Sequence, residues 1–396
     1  MNVHPIYLDF NATTPVNPEV LEAMLPFFGA AFGNPSSAHP YGFRLRSAME
    51  TGRAELAALI GAEEDEIVFT SCGSESNNLA LKGLAFGTPG SRNHIVISAV
   101  EHPAVSNAAR FLSHRGFSVT IVRVDAYGRV DTDAVREAVT ERTLVVSLLH
   151  GQNEIGTVQP LSQIAVAAHD KGALLHTDAA QSIGKIPVDV GTLGVDLLTI
   201  AGNKFYAPKG AGALYVRRGI QLEPLIHGGG HERGFRAGTE NAAFAVALGK
   251  AAQLAQRRRP MYDSHVRPLR DRLHRAILSG VPDAVLNGHP DERLPNTLNI
   301  SFPGIDSTKL QAAVRDRVAC STGCGCHAGK TAPSATLLAI GRDEGLATDA
   351  LRLSLGIETT EAEIDEAASV LVSAVNNTRA AAHHIAGESH STRLPR

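Results

Sequence analysis

Short β-branched runs alternate with helical segments over residues 67–218, and this alternation restricts the possible fold more than any other feature. The runs are Ile67–Phe69, His94–Ser98, Val119–Val124, Leu144–Leu149, Ala173–His176, Asp196–Ile200 and Gly212–Val216. Helical periodicity separates most of them, as in Ser76–Phe86, Ala104–His114 and Leu161–Lys171. This order predicts an α/β fold whose mainly parallel sheet is covered by helices on both faces.

Polar residues follow several of these apolar runs, where core packing does not require them. They are Ser71 to Glu75, Glu101 and His102, Gln152 to Glu154, Asp178 to Gln181, and Asn203 with Lys204. Ligands of parallel sheets bind beyond the carboxyl ends of the strands. We therefore expect these residues to converge on one site.

The overall composition limits the choice of partners and compartment. The formal net charge is −3, so no strong field favours nucleic acid or an anionic membrane. The sequence starts without a signal-peptide pattern, and no apolar run approaches the roughly 20 residues that span a bilayer. Four cysteines in 396 residues do not form a disulfide framework. We expect a cytoplasmic protein without membrane or direct nucleic-acid contact.

Four residue types after the strands together indicate a pyridoxal phosphate site. Lys204 follows an apolar strand, where partial desolvation makes an amine nucleophilic. Asp178 ends a strand, and a carboxylate there could keep a pyridine nitrogen protonated. Ser74 and the Gly73 amide precede a helix, whose N-terminus suits a phosphate. The imidazole of His102 could cover an aromatic ring and move protons.

A set of motifs extends this interpretation to a family. The motifs are YLDFNATTPVNPEVLEAM, FGNPSS, SESNN, EHPAV, HTDAAQSIGK, NKFYAPKGAGALYVRRG, HGGGHERGFRAGTEN and LRLSLG. In order and spacing, from Tyr7 to Val375, they resemble the cysteine desulfurases, which are homodimeric pyridoxal-phosphate enzymes of fold type I within the class V aminotransferases. The resemblance implies a large cofactor domain over 14–258, a smaller α/β domain from 1–13 and 259–378, and a flexible tail over 379–396.

The resemblance also implies roles for single residues. Lys204 would hold the cofactor covalently, Asp178 would pair with its ring nitrogen, and His102 would stack on its ring. The remaining contacts would come from a set of polar groups: Gln181 at the ring oxygen, Gly73, Ser74 and the partner subunit's Thr239 at the phosphate, Asn153 beside the cofactor and substrate, and Arg352 and Asn11 at the substrate. Arginine suits a carboxylate, because its planar fork binds two oxygens.

Cys326 corresponds to the family's catalytic cysteine. Its thiolate would attack the sulfur of L-cysteine, giving L-alanine and a persulfide that passes to an acceptor protein. Lys204 would remove the α-proton and later help to protonate the remaining carbon.

The chain departs from the family pattern around the expected phosphate site. Cys72 replaces the usual glycine, and Ser74 replaces threonine but keeps a hydroxyl. Ala201 and Asn203 stand where the family has a small hydroxyl residue and a histidine. These changes predict the loss of one phosphate donor and the alteration of another.

The cysteine cluster leaves other hypotheses open. Cys320, Cys324, Cys326 and His327 could bind zinc, although a C-x₃-C-x-C-H run fits a structural zinc site poorly, and we expect no metal. Cys320 or Cys324 could instead resolve Cys326 as a disulfide in a thiol-based redox sensor. A selenocysteine lyase is the nearest enzymatic alternative.

Overall fold

The protein is described by a computed structural model that covers residues 4–88, 90–322 and 332–391, with side chains up to residue 381. The chain divides into two compact units. The large unit comprises Thr13–Asn153 and Thr157–Pro260, and the small unit comprises Met1–Ala12, Glu154–Gly156 and Met261–Arg396. The predicted domain bounds, 14–258 for the large domain and 1–13 with 259–378 for the smaller one, stay a prediction; the division into compact units groups Glu154–Gly156 with the small unit.

Strands and helices alternate through most of the described chain. The strands are β1 (Ile6–Tyr7), β2 (Ile67–Thr70), β3 (His94–Ser98), β4 (Ser118–Val122), β5 (Thr143–Ser147), β6 (Leu174–Asp178), β7 (Leu197–Ala201), β8 (Gly212–Val216), β9 (Val285–Asn287), β10 (Thr297–Ser301), β11 (Val318–Ala319), β12 (Ser321–Thr322) and β13 (Ala350–Ser354). The α-helices are α1 (Pro18–Met24), α2 (Pro40–Ile60), α3 (Gly73–Gly87), α4 (Pro103–Ser113), α5 (Thr132–Ala138), α6 (Leu161–His169), α7 (Val190–Leu193), α8 (Ala242–Arg258), α9 (Arg267–Gly280), α10 (Ser307–Val314), α11 (Ala335–Ala339), α12 (Glu344–Thr348) and α13 (Glu361–Ser391). No helix in the ranges covered is long and apolar enough to cross a membrane.

The large unit contains a seven-stranded sheet in the order β2-β8-β7-β6-β5-β3-β4. Only β8 runs against its neighbours β2 and β7, and the other pairs are parallel. Because β8 is antiparallel to both neighbours, β2 points the same way as β7. The predicted α/β fold with a mainly parallel sheet is therefore confirmed.

The two faces of this sheet pack into separate apolar cores. In β3, Ile95 and Ile97 belong to one core while Val96 belongs to the other. In β8, Leu214 and Ala213 divide in the same way. Successive side chains of a strand point to opposite faces, so burial on both sides requires near-continuous apolar runs. This requirement explains why the strands were recognisable in the sequence.

The small unit contains an antiparallel sheet in the order β12-β13-β10-β9 and a parallel pair, β1 with β11. Its last helix, α13, extends to Ser391. Residues 379–391, at the start of the predicted flexible tail, are helical, and the flexibility of the tail stays a prediction. Arg379 forms ion-paired hydrogen bonds of 2.9 and 2.8 Å to Asp283, and the alanines that follow favour helix.

Candidate active site

The carboxyl ends of β2, β3, β5, β6 and β7 lie on one edge of the large sheet, because these strands all point the same way. This edge carries most of the predicted cofactor residues. They are Gly73 and Ser74 after β2, His102 after β3, Asn153 after β5, Asp178 and Gln181 at the end of β6, and Lys204 after β7. The topology therefore places residues that are as much as 131 positions apart in sequence, from Gly73 to Lys204, at the same edge of the sheet.

Asp178 is the last residue of β6 and is buried. Its Oδ2 accepts a hydrogen bond of 2.7 Å from Asn77 Nδ2, and its Oδ1 accepts one of 3.0 Å from the Ala180 amide. A buried carboxylate requires such donors, since an unsatisfied charge is strongly disfavoured. These two bonds fix the orientation of the carboxylate.

Asn77, which lies on α3, was not among the sequence-predicted site residues. It is fully buried, and its Oδ1 has no hydrogen-bond partner among the described residues. The only signal in the sequence was an amide in a helical segment that otherwise buries small and apolar side chains. That signal does not reveal a partner 101 positions away, because the contact depends on how α3 packs against β6.

The loop that carries Lys204 is held by the segment that precedes α1. A short 3-10 turn, Gly202–Lys204, follows β7. The Thr14 amide and hydroxyl donate to the Asn203 carbonyl at 2.9 and 3.3 Å, and the Thr14 hydroxyl accepts from the Tyr206 amide at 2.8 Å. Tyr206 has a φ of +70°, a strained conformation for an aromatic residue. The hydrogen bonds of Thr14 therefore stabilise the strained turn next to Lys204.

Lys204 is half-buried on this turn. Gly202 must be glycine, because a Cβ there would lie 2.8 Å from the Ala211 carbonyl oxygen and 2.9 Å from Leu248 Cδ1. Ala201 and Asn203 stand on either side of Gly202, and Asn203 Nδ2 donates to the Thr13 hydroxyl at 3.4 Å. The Asn203 amide therefore contacts Thr13 from the position where the family has a histidine.

The N-terminus of α3 offers backbone N–H groups beside this turn. Its N-cap is Cys72, whose side chain makes no capping hydrogen bond. A Cβ on Gly73 would lie 3.2 Å from Ala201 Cβ, so the helix begins close to the end of β7. Ser74 is exposed in the first turn. A 15-residue helix with an uncapped, partly exposed N-terminus is suited to an anion.

Glu75 lies in that same first turn and is already paired. It accepts hydrogen bonds from the Ser71 amide and hydroxyl and from Arg236 Nε, the last at 3.0 Å. Burial raises the pKa of Glu75, but the bonds from Ser71 and Arg236 outweigh it, so that the pKa lies below its usual value. Arg236 thereby neutralises the acidic residue at the end of the helix that would receive a phosphate.

His102 is the N-cap of α4 and is exposed. Its Nδ1 accepts a hydrogen bond of 3.1 Å from the Ala104 amide. An accepting Nδ1 places the ring proton on Nε2. The helix start therefore fixes both the tautomer and the orientation of the imidazole.

Buried polar side chains, Glu101 and His176 among them, lie close to the sheet edge. Burial raises the pKa of Glu101 to about 8, and the nearby charge of Asp178 adds to the rise. Burial lowers the pKa of His176 to about 4, and its ring nitrogens contact the Ser147 and Thr199 hydroxyls at 2.7 and 3.1 Å. At neutral pH Glu101 is therefore mainly protonated and His176 is neutral.

Gln181 and Thr239 complete the predicted cofactor set in the large unit. Gln181 is buried, and its Oε1 accepts from Nζ of the fully buried Lys185 at 2.8 Å. Thr239 is exposed, on the segment between β8 and α8.

The small unit holds the predicted substrate residues Arg352 and Asn11. Arg352 Nη2 donates to Asp9 Oδ1 at 2.8 Å and to the Ser321 hydroxyl at 3.2 Å. Asp9 was not predicted, although it lies in the motif YLDFNATT. Asn11 is buried and bonds Thr297 and Asn296 through its amide, at 2.9 and 3.0 Å.

The cysteine cluster is described only at one end. Cys320 is buried, and this burial raises the pKa of its thiol to about 12. Cys324, Cys326 and His327 lie outside the described residues. Cys320 is therefore a thiol that stays protonated at neutral pH, which makes it a weak nucleophile and a weak metal ligand.

We expect Asn77→Ala to lower the free energy of unfolding by about 1.5–3 kcal/mol, because a hydrogen bond to a buried charge is lost. Urea unfolding of the cofactor-free protein measures this change. Asn78→Ala is the matched control, since among the described residues Asn78 bonds the Ser74 carbonyl of its own helix, and its loss should change stability by less than about 0.5 kcal/mol. Equal effects of the two substitutions would contradict the role given to Asn77.

Known proteins resemble this chain over nearly its whole length. The family model for aminotransferase class-V matches residues 6–367. The cysteine desulfurase IscS of Rickettsia bellii (strain OSU 85-389) is 42% identical over 378 residues, which cover 95% of this chain and 92% of that protein. A solved structure described as a NifS-like protein has a TM-score of 0.88 and 35% identity, covering 95% and 100% of the two chains. SspA in complex with cysteine has a TM-score of 0.78 and 36% identity, covering 89% and 99%.

These similarities span both units and include the segments that form the sheet edge. The matched proteins are themselves covered almost completely, so the likeness is not limited to a shared module. The chain belongs to the class V aminotransferase family.

Proposed function

We propose that this chain is a pyridoxal-phosphate-dependent cysteine desulfurase that converts L-cysteine into L-alanine and retains the sulfur as a persulfide on Cys326. The observation that carries the proposal is the buried, oriented carboxylate of Asp178 on the same sheet edge as Lys204. Relatives named cysteine desulfurase support the reaction, and the cysteine complex of SspA supports the substrate.

The donor set at the sheet edge fits pyridoxal phosphate. Two N–H donors fix the position of the Asp178 carboxylate. A carboxylate fixed in this way can accept a hydrogen bond from a protonated pyridine nitrogen. The N-terminus of α3, with Gly73 and Ser74, forms an uncapped cradle for the phosphate. Gln181 would donate its amide N–H to the ring oxygen. Because Ala201 lacks a hydroxyl, the cradle depends on backbone amides and on Ser74.

Three residues have proposed roles around the ring. His102, held by its cap bond to Ala104, would cover one face of the ring and carry a proton on Nε2. Asn153 would contact both cofactor and substrate. Arg352, oriented by Asp9, would bind the substrate carboxylate through its guanidinium.

The bound cofactor supplies an electron sink for the substrate carbon. The amine of Lys204 takes the α-proton of cysteine and later helps to return a proton to the carbon skeleton. The Cys326 thiolate forms an S–S bond with the substrate sulfur while the C–S bond breaks. The electron pair of that bond stays on carbon, which is protonated to the methyl group of alanine. The Cys326 sulfur is oxidised, the carbon is reduced, and no external oxidant is needed.

We also propose that two copies of the chain form the working enzyme and that the partner subunit's Thr239 contacts the phosphate. Exposed apolar side chains on the large unit support this arrangement. Phe32 and Tyr41, which we call the aromatic patch, have ring centroids 5.0 Å apart and are each more than half exposed, as are Leu25, Phe28 and Phe43 of the same segment. Exposed apolar clusters of this kind mark interfaces. A second copy is the occupant that the family resemblance favours.

The persulfide on Cys326 would be passed to an acceptor protein. We place the enzyme in the cytoplasm, because the reaction requires a free thiolate and that compartment keeps thiols reduced. The high pKa of Cys320 weakens the alternative of a redox sensor in which this residue resolves Cys326.

Substituting Lys204 tests the cofactor assignment. Borohydride reduction of the purified enzyme should attach the cofactor mass to the peptide that contains Lys204. Lys204→Ala should remove this label and lower cysteine turnover by at least about 10³-fold, because the covalent anchor and the proton carrier are both lost. Lys209→Ala, which changes an exposed lysine in the same loop, should keep both. A label on any other lysine would refute the assignment.

Substituting Cys326 tests the reaction. Cys326→Ala should abolish alanine and sulfide formation from L-cysteine, measured with a reductant present, while leaving the borohydride label on Lys204 unchanged. Cys324→Ala is the matched control and should retain turnover. If the Cys326 variant still desulfurated cysteine, the persulfide mechanism would be wrong. If the unmodified enzyme turned over selenocysteine but not cysteine, selenocysteine lyase would replace the proposal.

Substituting the aromatic patch tests the second copy. Phe32→Asp should halve the mass measured by light scattering and weaken cofactor retention, because a charge is desolvated in the interface and Thr239 no longer reaches the phosphate. Ile121→Asp introduces the same charge at an equally exposed apolar position on β4 and should leave the mass unchanged. A monomeric unmodified enzyme with full activity would exclude the dimer.

A further inference from the structure

A buried ion pair in the large unit joins Arg53 on α2 to Glu232, which lies between β8 and α8. Neither residue is among those assigned to the cofactor or the substrate. Both are buried, and two hydrogen bonds of 2.8 Å link them, from Arg53 Nη1 to Oε2 and from Nη2 to Oε1 of the carboxylate. Two parallel bonds between charged groups fix both distance and orientation. Glu232 is therefore held in one place relative to α2.

The ion pair also attaches this segment to the outer edge of the large sheet. β2 stands at the end of the strand order, so one side of its backbone faces no further strand among the described residues. Glu232 Oε2 accepts a hydrogen bond of 2.8 Å from the Phe69 amide, and Arg53 Nη1 donates to the Ile67 carbonyl at 2.7 Å. The Arg53 guanidinium also lies 4.5 Å from the centre of the Phe69 ring. The pair therefore forms the hydrogen bonds that a neighbouring strand would form.

A strained turn, the 3-10 turn Glu232–Gly234, begins at the acidic partner of this pair. Glu232 and Arg233 have φ values of +48° and +57°. Among the residues that the structure describes, Tyr206 is the only other non-glycine residue with a positive φ. Residues with a Cβ persist in this region only where the surrounding contacts outweigh the strain. The buried hydrogen bonds of the Glu232 carboxylate are contacts of this kind.

A short series of contacts connects this turn with Thr239. His231, which directly precedes Glu232, accepts at Nδ1 a hydrogen bond of 3.2 Å from the Gly238 amide. Gly238 directly precedes Thr239. This bond closes the loop between the two residues, and Arg236 anchors the loop to α3 by the bond described above. The turn at Glu232 therefore fixes one end of the loop that presents Thr239.

We propose that Arg53 and Glu232 are positioning residues, which set the place of Thr239 against the cofactor phosphate bound by the second copy of the chain. The inference rests on the proposed function, in which the partner subunit's Thr239 contacts that phosphate. Arg53 and Glu232 act through the backbone of the strained turn and do not touch the cofactor. Because Ala201 lacks a hydroxyl, Ser74 and Thr239 supply the side-chain hydroxyls proposed for the phosphate, so the placement of Thr239 affects cofactor affinity directly.

Comparing pyridoxal phosphate with pyridoxal tests this role, because pyridoxal lacks the phosphate that Thr239 would contact. Glu232→Gln keeps an oxygen for the Phe69 amide but removes the charge that binds Arg53. It should weaken the affinity for pyridoxal phosphate about tenfold, as expected for the loss of one hydrogen bond to a charged group. The affinity for pyridoxal should stay unchanged. Absorbance titration of the cofactor-free protein measures both affinities, and light scattering should give the same mass for each variant.

Glu50→Gln is the matched control. Glu50 also accepts hydrogen bonds from Arg53, at 3.0 and 3.3 Å, but it lies on α2 itself and its side chain is 49% exposed. The control removes a charge from the same guanidinium without changing the turn at Glu232, so both affinities should stay as they are. If Glu232→Gln does not fold, Arg53→Lys takes its place under the same criteria, because lysine keeps the charge but lacks the planar fork.

A double-substitution cycle shows whether Glu232 acts through Thr239. Thr239→Val should reproduce the loss that is specific to the phosphate. Adding Glu232→Gln to Thr239→Val should then weaken the binding of pyridoxal phosphate by no more than about twofold, because the contact that Glu232 positions is already absent.

Three results would overturn the proposal: equal losses of pyridoxal and pyridoxal phosphate affinity in Glu232→Gln, a loss of the same size in Glu50→Gln, or fully multiplicative effects in the double variant. An unchanged affinity in Thr239→Val would refute the phosphate contact itself, and with it this inference. At saturating pyridoxal phosphate the borohydride label on Lys204 should persist in Glu232→Gln, so failure of the inference leaves the proposed reaction untouched.

Discussion

Parallel strands leave their carboxyl ends on one edge of a sheet, and the candidate active site depends on this constraint. Six of the seven strands in the large unit's sheet, all except β8, end at the edge where Asp178 and Lys204 lie. A carboxylate at such a position is desolvated, so it requires fixed donors, and the structure supplies them from Asn77 and the Ala180 amide. The site is therefore organised by backbone topology first and by side-chain hydrogen bonds second.

The sequence revealed the groups that stand directly after strands, because both the strand and its polar end are local features. Asp178, Lys204 and His102 were found in this way. The residues that orient them were not found. Asn77 and Thr14 act on partners more than 100 positions away, through contacts that exist only after α3 and the segment before α1 have packed. Asp9 was missed for the same reason, since its bond to Arg352 joins the two ends of the small unit's sequence.

The structure shows which contacts are made by Asn203 and Cys72, two residues that depart from the family motif. Asn203 bonds Thr13 on one side, and its carbonyl receives the Thr14 donors on the other. The turn beside Lys204 is thus held through the main-chain carbonyl of Asn203 as well as through the Asn203 side chain, which stands where the family has a histidine. Cys72 stands at the start of α3 without capping it. The backbone N–H groups at a helix start are usually satisfied by the side chain of the N-cap residue, so here they remain available to a ligand.

The protonated carboxyl of Glu101 has a spectroscopic consequence. Because burial keeps this group neutral near pH 7, its C=O stretch is separated from the bands of ionised carboxylates. Glu101 accepts from the Ser98 hydroxyl and from the Leu149 amide, and it senses the charge of Asp178. Infrared difference spectra could therefore follow changes in charge at the sheet edge during turnover through a native residue, without a label attached to the substrate.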